Sequence, residues 1–517
     1  MNNANRVIVN SVILNIRIIV TTLISLISVP LVMHALGNSD YGLYSLIGGV
    51  IGLLAFLKSS MTVSTQRFIS VAIGENNLIR INKIYNNSII LHYIIGIGLV
   101  LFLEFVYPFL FSGFLNVETD RVWAAKIIYH FLVATIFFDI TSVPYIGVIN
   151  AKENMLVFSV VGIIESVMKL LLAFSLTLFS GDLLVIYGVG MFIIAFLIRL
   201  MYYLYIKYYY CEFHVSLRSY ADKNQLLMMT GFTSWNTFGA LALVGRNQGI
   251  AIVINLFFNT VVNAAYGIAN QINGVMGHVS YTFQKSINPQ LMKSYGMKDP
   301  NRLIRLSYKS SKFSVLIFAL FSVPLIIEMD YILKLWLDMP PQYTIRFSQL
   351  VLILSLLNEF SMGLMSSIQA TGRIRSYQIT ISILILLNVP ITYILFRLGA
   401  PPYSCVISFI LIEFASFVYR IYMAKKIAGI SPKFFVDNVI RPVALCIFIA
   451  TCSSFLIHTL FQESLLRVGL VFAIYILFFS LCVWKLALDS GEKNIFQDFM
   501  SIIINKYSKI FNYVRKN

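Results

Sequence analysis

The sequence YGLYSLIGGVIGLLAFL at residues 41–57 returns 225 residues later as YGIANQINGVMGHVSYT at 266–282. Both stretches belong to an ungapped match of 41–81 with 266–306 that contains ten identities. Each copy passes from a mostly apolar run into a basic segment, so one helix and its following connection repeat together. A shorter similarity links 149–153 with 368–372. Similarity at a fixed offset indicates a structural unit that is used twice.

The chain around the repeat consists of apolar runs of about 20 residues, long enough to cross a ~30 Å hydrocarbon layer as an α-helix. Of its 517 residues 58% are hydrophobic and 12% are charged, whereas a soluble domain carries about 25% charged residues. The sequence therefore predicts an all-α integral membrane protein with about fourteen transmembrane helices. The predicted spans are 10–36, 41–66, 87–111, 125–149, 157–180, 184–206, 227–254, 260–284, 313–333, 347–369, 377–396, 403–424, 440–460 and 466–486.

The repeat places the second span on the eighth, and an offset of six spans preserves the direction in which a helix crosses the membrane. The two halves are therefore predicted to be parallel, pseudo-symmetric six-helix lobes around a central cavity, which opens to either side by alternating access. The predicted division is an N-terminal lobe at 1–210, a C-terminal lobe at 211–430, two additional C-terminal helices within 431–488, and a cytoplasmic basic tail at 489–517.

The distribution of the basic residues predicts the orientation. If both termini are cytoplasmic, 28 of the 39 Lys and Arg residues lie in inside segments and six lie in outside segments, as the positive-inside rule requires. The largest inside connection, 285–312, holds seven of them and is predicted to lie along the lipid headgroups. Because the basic residues are spread over many short connections, they do not indicate a nucleic-acid partner.

The eighth span carries polar side chains along one helical face. In hydrocarbon, polar residues mark either helix contacts or a wet cavity. Several amides in a row exceed what packing needs, so we predict that this stripe lines a cavity. Its members are Tyr266, Asn270, Asn273, Tyr281 and Gln284.

Two further faces are polar or small. The first span aligns Asn10 and Thr21 with Arg17, and we assign these two polar residues to the same cavity lining. The second span has a stripe of small residues that includes Gly48 and Gly52. Small residues let helices approach closely, so close helix packing is the preferred interpretation there.

Three cations in the spans are the predicted substrate-binding residues: Arg17, Arg246 and Lys58. An unpaired charge at mid-span costs at least ~2.5–3.5 kcal/mol. Arg17 and Arg246 occupy the first and seventh spans, which the repeat makes equivalent, and guanidinium groups that face a cavity bind phosphate bidentately. The alternatives are that each arginine satisfies a neighbouring carboxylate or helix-end carbonyls, and that Lys58 extends to the membrane surface.

The acidic residues Asp139, Glu165 and Glu359 are candidates for coupling transport to H+ or Na+. Glu165 lies four residues before Lys169, so a structural ion pair is the preferred interpretation there. The sequence has no phosphate-binding loop, no metal-ligand spacing and no set of catalytic side chains, so it predicts no enzyme, no catalytic residue, no metal and no organic cofactor.

Four segments carry a family resemblance: LGNSDYGLY at 36–44, YGIANQ at 266–271, NPQL at 288–291 and QATGR at 369–373. They resemble bacterial polysaccharide (O-antigen-type) flippases of the multidrug/oligosaccharidyl-lipid/polysaccharide exporter superfamily. The resemblance implies two six-helix lobes, two further helices and a cationic cavity, for which Arg17 and Arg246 are the best candidates.

The same resemblance implies a substrate and a location. The substrate would be an undecaprenyl-pyrophosphate-linked oligosaccharide, either an O-antigen or a capsule or exopolysaccharide repeat unit, flipped from the cytoplasmic to the periplasmic leaflet of the bacterial inner membrane. Membrane lipids and the polysaccharide polymerase machinery of lipopolysaccharide biosynthesis would be its partners. Two alternatives stay open: a cation-coupled multidrug antiporter of the same superfamily and a flippase for a peptidoglycan-precursor lipid. A glycan-joining membrane enzyme is disfavoured, because no outside connection is large enough.

Overall fold

The computed structural model describes residues 3–52, 54–114, 117–494 and 497, and within them it contains helices and no strands. Short π- or 3-10-helical turns continue α3, α6 and α19 and precede α18. The helices are α1 Asn3–Gly52, α2 Ala55–Gly74, α3 Leu78–Phe109, α4 Val122–Thr141, α5 Val143–Ala151, α6 Met155–Ser175, α7 Leu183–Tyr209, α8 Leu217–Tyr220, α9 Lys223–Phe257, α10 Thr260–Gly296, α11 Pro300–Ile327, α12 Met329–Leu337, α13 Thr344–Glu359, α14 Met362–Thr371, α15 Arg375–Arg397, α16 Ser404–Ala428, α17 Pro432–Phe435, α18 Arg441–Leu460 and α19 Leu465–Cys482.

The number of spans agrees with the prediction of about fourteen. In the described residues, eleven helical segments are long and apolar enough to cross a membrane, and the α13–α14 pair, bent by 46°, makes a twelfth. Two predicted spans are merged in α1, which has a kink at Gly37 (φ 78°), and the second of them continues into α2. The remaining predicted span is α10. It is not among the apolar segments counted above, because its polar stripe lowers its mean hydropathy. The all-α membrane fold is thus confirmed.

The predicted loop at 285–312 is wrong. Helix α10 continues to Gly296 and α11 begins at Pro300, so only a three-residue turn lies between them. Lys298 takes a positive φ of 56° in this turn, and Asp299 caps α11 by accepting a hydrogen bond from the Arg302 amide at 2.9 Å. The basic residues of this stretch are good helix formers, so their charge shows where the membrane ends but not where the helix ends.

The helices pack as two groups that follow the repeat. In the first half α1 packs on α6, α4 on α7 and α2 on α5; in the second half α9 packs on α15, α13 on α16 and α10 on α14. Each pair of the first half has an equivalent in the second, which is the arrangement of two pseudo-symmetric six-helix lobes. The lobe boundaries at 210 and 430 stay predictions, and most of the predicted tail at 489–517 lies outside the described residues.

The two additional helices, α18 and α19, pack on each other and on α11. Glu328, which is fully buried, accepts a hydrogen bond from Arg467 at 2.8 Å and lies 2.8 Å from Nδ1 of His458. Near the middle of α11, Lys312 pairs at 2.6 Å with Glu492, which follows α19. Buried ion pairs therefore attach the pair of helices to the C-terminal lobe at both ends.

The lobes meet in the half of the molecule that contains the N-terminus. Oγ of Ser11 lies 3.2 Å from Oγ of Ser286, and Lys293 pairs with Glu153 at 2.5 Å. A β-carbon on Gly74 would lie 2.3 Å from the Lys293 carbonyl oxygen, so α2 and α10 cross with their backbones in contact. The predicted inside connections lie at this end, which we call the basic face.

The other half of the molecule is open between the lobes. Among the described residues, no non-neighbouring atom lies within 4 Å of the β-carbon positions built on Gly42, Gly48, Gly267 and Gly274. These glycines lie on the two repeat-equivalent spans, and the contacts between α2 and α10 lie toward the basic face. The lobes therefore form a V that opens toward the predicted periplasmic side. Gly48 and Gly52 of the small-residue stripe are not in close helix packing in this conformation, contrary to the sequence interpretation for these two residues.

Candidate functional site

A charged cavity of about 310 Å³ lies within the N-terminal lobe. Its ion pairs are Lys58 with Asp139 at 2.5 Å and Lys169 with Glu165 at 2.6 Å. The pairing of Glu165 with Lys169 is the structural arrangement that the four-residue spacing indicates. The cations that line this cavity are Arg17, Lys58, Lys169 and Arg199, and its carboxylates are Asp139 and Glu165. Cations are therefore in excess by two.

The side chains of these ion pairs are 37–47% exposed, although they lie along membrane-spanning helices. Exposure of ionised groups to hydrocarbon would be costly, so the exposed atoms face water in the space between the lobes. Paired charges at this exposure contribute little to stability. Their arrangement is better explained by a polar surface for a solute than by packing.

Arg17 lies over the ring of Phe158, with Cζ 4.2 Å from the ring centroid. A β-carbon on Gly162 would lie 2.3 Å from Nε of Arg17, so a larger residue at this position of α6 would displace the guanidinium. Within the described residues Arg17 has no carboxylate at ion-pair distance. Lys285 of α10 reaches the same ring from the opposite lobe, with Nζ 3.2 Å from the centroid. Two cations from different lobes thus share one aromatic ring.

A second cavity, of about 460 Å³, lies mainly in the C-terminal lobe and reaches α2 of the other lobe. Arg246 is 6% exposed there and lies over the ring of Phe409, with Cζ 3.5 Å from the centroid. It donates to Oδ1 of Asn247 at 2.8 Å, and its Nε has no hydrogen-bond partner in the described part of the chain. Tyr266, Asn270 and Asn273 of the predicted stripe line this cavity.

The ion pair of Glu413 and Arg420 also lines the second cavity. Arg420 donates in addition to Oγ of Ser361 at 3.1 Å. These two side chains are almost fully buried and lie seven residues apart on α16, on one face of the helix. Arg246 is therefore the cation of this cavity that no carboxylate neutralises among the described residues.

The structure brings some predicted site residues together and separates others. Arg17 and Lys58 line the N-terminal cavity, whereas Arg246 lines the second one. Asn10 is buried and donates to the carbonyl of Glu153, near the lobe contact. Thr21 donates to the carbonyl of Ile18 within its own helix.

The rest of the α10 stripe leaves the cavity lining. Tyr281 is 59% exposed, and Gln284 is buried against α11. Its Nε2 donates to Oγ of Ser314, and its Oε1 accepts a hydrogen bond from Oγ of Ser310 at 3.0 Å. Glu359 is 6% exposed, and one of its carboxylate oxygens has no hydrogen-bond partner among the residues that the structure describes. The polar face of α10 therefore lines the cavity at Tyr266, Asn270 and Asn273, and further along the helix, at Gln284, it packs against α11.

Four cations that line a cavity or contact an aromatic ring are not among the site residues predicted from the sequence: Arg199, Arg420, Lys285 and Arg67. Arg199 donates to Oγ1 of Thr141 at 2.9 Å and points into the N-terminal cavity. It is an intramembrane arginine like Arg17, and that signal was sufficient to find it. Lys285 was placed in a loop, because the helix extends beyond the apolar run that marks the span.

No known protein-family profile and no curated protein matches the sequence. The fold is similar to solved structures, among them a multidrug resistance MATE family transporter of the MOP superfamily in an outward-facing conformation, with a TM-score of 0.71, 16% identity, and coverage of 83% of this chain and 96% of that chain. A MATE structure in the bent conformation gives a TM-score of 0.72, 16% identity, and coverage of 83% and 98%.

A third similar structure is a MOP superfamily transporter from Pyrococcus furiosus, for which a reverse polarity of the binding pocket suggests a different function. Its TM-score is 0.68 at 14% identity, with coverage of 83% of this chain and 96% of that chain. At these identities the likeness shows the fold: this chain has the two-lobed helical architecture of these transporters. The sequence predicted this two-lobed all-α architecture.

Proposed function

We propose that this protein is an alternating-access flippase for an undecaprenyl-pyrophosphate-linked oligosaccharide, which it moves from the cytoplasmic to the periplasmic leaflet. The observation that carries the proposal is Arg246. It is a nearly buried guanidinium with no carboxylate partner among the described residues, and it lines a polar cavity that both lobes contribute to. A buried cation without a counter-ion is costly unless an anion visits it.

The chemistry of both cavities supports an anionic substrate. The N-terminal cavity has two more cations than carboxylates, and the second cavity has one more. Amides and hydroxyls of Asn270, Asn273 and Tyr266 provide hydrogen-bonding groups suited to a sugar. Exposed leucine, isoleucine and phenylalanine side chains cover the outer surfaces of the lobes, where a polyprenyl chain can remain in the bilayer.

The transport step follows from the lobe contacts. The lobes touch toward the basic face and are open at the other side, which supports assigning this conformation to the release step of the proposed cycle. Opening the contacts of Ser11 with Ser286 and of Glu153 with Lys293 would expose the cavities to the cytoplasm. Protonation or Na+ binding at Asp139, Glu165 or Glu359 is the proposed source of coupling.

A cation-coupled multidrug antiporter is the second candidate function. Two observations favour it: the similar solved structures include multidrug resistance MATE transporters, and Asp139 and Glu165 provide carboxylates in the N-terminal cavity. Both carboxylates are engaged by lysines at 2.5 and 2.6 Å. A cationic drug would have to displace these lysines, whereas a phosphate would meet cations directly.

Transport by reconstituted protein distinguishes the two functions. Proteoliposomes receive either a fluorescent undecaprenyl-pyrophosphate-linked oligosaccharide or the cationic dye ethidium. We expect movement of the oligosaccharide lipid by the wild type, and a loss of about tenfold or more in Arg246→Ala, because a charge-assisted hydrogen bond contributes about 1.5–3 kcal/mol. In cells, the same substitution should abolish surface glycan display at unchanged protein level.

The matched control is Arg397→Ala, which removes an exposed arginine at the end of α15 and should leave transport unchanged. Ethidium transport without movement of the oligosaccharide lipid would establish the antiporter and overturn the proposal. Movement of a peptidoglycan-precursor lipid in preference to the oligosaccharide lipid would keep the flippase and change its substrate.

A further inference from the structure

A third cavity lies at the basic face, apart from the two cavities of the proposed transport path. Its volume is about 1060 Å³, at the upper end of small-molecule sites. Both lobes form its walls: Arg67 comes from α2, Lys298 from the turn between α10 and α11, and Arg373 and Arg375 from the turn between α14 and α15. It therefore exists in this form only while the lobes are closed at the basic face.

Four cations of this cavity lack an acidic partner among the described residues: Arg67, Lys298, Arg373 and Arg375. Two carboxylates also line it, but each is already engaged. Glu75 accepts Arg80 at 2.6 Å through both oxygens, and Asp299 accepts the amide of Arg302. The cavity thus combines a large open volume with a net positive charge that the protein does not neutralise.

Arg67 distinguishes this cavity from a solvated basic surface, because its guanidinium is buried and held in a defined position. It is 7% exposed, and its Nε and Nη2 donate to the carbonyls of Gln369 and Ala370 at the end of α14. Within the described residues its Nη1 has no hydrogen-bond acceptor. The rings of Phe68 and Phe232 flank the guanidinium, with Cζ 4.7 and 4.9 Å from their centroids, so its position is fixed.

The opposite wall adds a helix N-terminus. Helix α15 begins at Arg375, and in the described residues the N-cap Ile374 makes no side-chain hydrogen bond to its first amides, so these amides can bind an anion. Arg375 lies over the ring of Trp235, with Cζ 5.3 Å from the centroid, and Trp235 forms part of the cavity floor. Guanidinium groups, free amides and an aromatic floor are the recognition elements of phosphorylated ligands.

We propose that this cavity binds a phosphorylated anion at the basic face and thereby stabilises the conformation that is closed there. A ligand that binds one conformation in preference to the other shifts the equilibrium toward it. The anion comes either from solution, as a pyrophosphate group, or from an anionic lipid headgroup of the adjoining leaflet. The inference does not depend on which substrate the transport cavities carry.

The test uses the full-length protein in neutral detergent with inorganic pyrophosphate, and in nanodiscs of phosphatidylcholine with or without phosphatidylglycerol. We expect saturable thermal stabilisation of the wild type, and at least about a tenfold weaker apparent affinity in Arg373→Gln/Arg375→Gln. The control is Lys425→Gln/Lys426→Gln, which removes the same charge from exposed residues outside the cavity and should respond as the wild type does.

The two arms identify the source of the anion. Stabilisation by pyrophosphate that the Arg373/Arg375 variant loses indicates a soluble ligand, and stabilisation by phosphatidylglycerol that it loses indicates a lipid headgroup. Equal responses of both double variants in both arms, or no response of the wild type, would overturn the proposal. Arg246→Ala should keep the full response, so failure of this site and failure of the flippase function are distinguishable.

Discussion

Gly372 shows how a single residue controls the lobe contact at the basic face. It follows the last residue of α14 with φ +79°, and a β-carbon there would lie 2.3 Å from Nη2 of Arg67. The positive φ ends the helix as glycine commonly does, and the missing side chain admits the guanidinium to the carbonyl of Ala370. Backbone conformation and space thus both require glycine at this position.

We predict that Gly372→Ala weakens closure at the basic face. The left-handed conformation costs about 1–2 kcal/mol for alanine, and the new methyl group would also displace Arg67 from its acceptors. Spin labels at the exposed positions Leu78 and Met297, one on each lobe, should report a larger population of long distances than in the parent protein.

Gly399→Ala is the matched control for this prediction. Gly399 has φ +83° and no atom within 4 Å of its β-carbon position, so alanine there introduces the same backbone strain without a clash. If both variants show the same distance distribution, Arg67 does not hold the lobes together. Both variants should lose thermal stability, but only Gly372→Ala should change the distance.

At this scale the sequence reveals which charges are unusual but not where they point. Arg17 and Arg246 stand out because arginine at mid-span is expensive, and the structure places both against aromatic rings beside cavities. The sequence could not show whether these two arginines face the same cavity, because that depends on how each helix is rotated about its axis. Lys285 and Arg67 were not distinguishable from ordinary basic residues at the membrane boundary, because burial there depends on how the lobes meet.

The helices α18 and α19 show how an element outside the repeat is attached. Glu328 follows α11 and is fully buried between α11 and the added pair of helices. It contacts one side chain from each added helix: it lies within hydrogen-bond distance of His458 and forms an ion pair with Arg467. A buried carboxylate with two partners makes these helices part of the C-terminal lobe, so they should move with it.

We predict that Glu328→Gln detaches the added pair of helices. Removing the charge leaves Arg467 buried without a counter-ion, which costs about 3–5 kcal/mol. The melting temperature in detergent should fall, and protease cleavage in the connection 429–440 should become faster. Glu463→Gln is the control: Glu463 pairs with Lys334, with both side chains about half exposed at 49% and 48%, so the loss should stay below about 1 kcal/mol. Equal effects of the two variants would contradict the attachment.

At the scale of elements, hydropathy predicts the number and order of spans but not the ends of helices. The merged helix α1 and the extended α10 both continue through polar residues that are good helix formers, beyond the point where the apolar run stops. The repeat predicts that helix pairs of the first half, such as α1 with α6, have equivalents in the second half, such as α9 with α15. It does not predict which helices pair, because it relates the halves without specifying which faces touch.

The whole molecule consists of two lobes joined by the linker 210–222, which is fixed to one of them. Asn82 and Asn86 of α3 each donate to one linker carbonyl and accept one linker amide, and Asn87 does the same near the linker's end. The linker is therefore part of the N-terminal lobe up to Asp222. Relative motion of the lobes must be absorbed at or after the start of α9.

A cross-link across the lobe contact tests this two-body motion. Oγ of Ser11 lies 3.2 Å from Oγ of Ser286, a separation compatible with a disulfide after exchange to cysteine. In a background with the five native cysteines replaced, we expect oxidation of Ser11→Cys/Ser286→Cys to abolish transport and reduction to restore it. The disulfide would hold the lobes closed at the basic face.

The matched cross-link joins two helices of one lobe. Oγ1 of Thr65 on α2 lies 3.4 Å from Oγ of Ser88 on α3, so Thr65→Cys/Ser88→Cys should oxidise with similar ease. If each lobe moves as a rigid body, this bond leaves transport unchanged, because no distance within the lobe has to alter. Transport that survives the bond between the lobes, or that stops with the bond inside one lobe, would be incompatible with rocking about the linker. Only the disulfide between the two lobes should stop transport, because only the contacts between the lobes have to separate during the cycle.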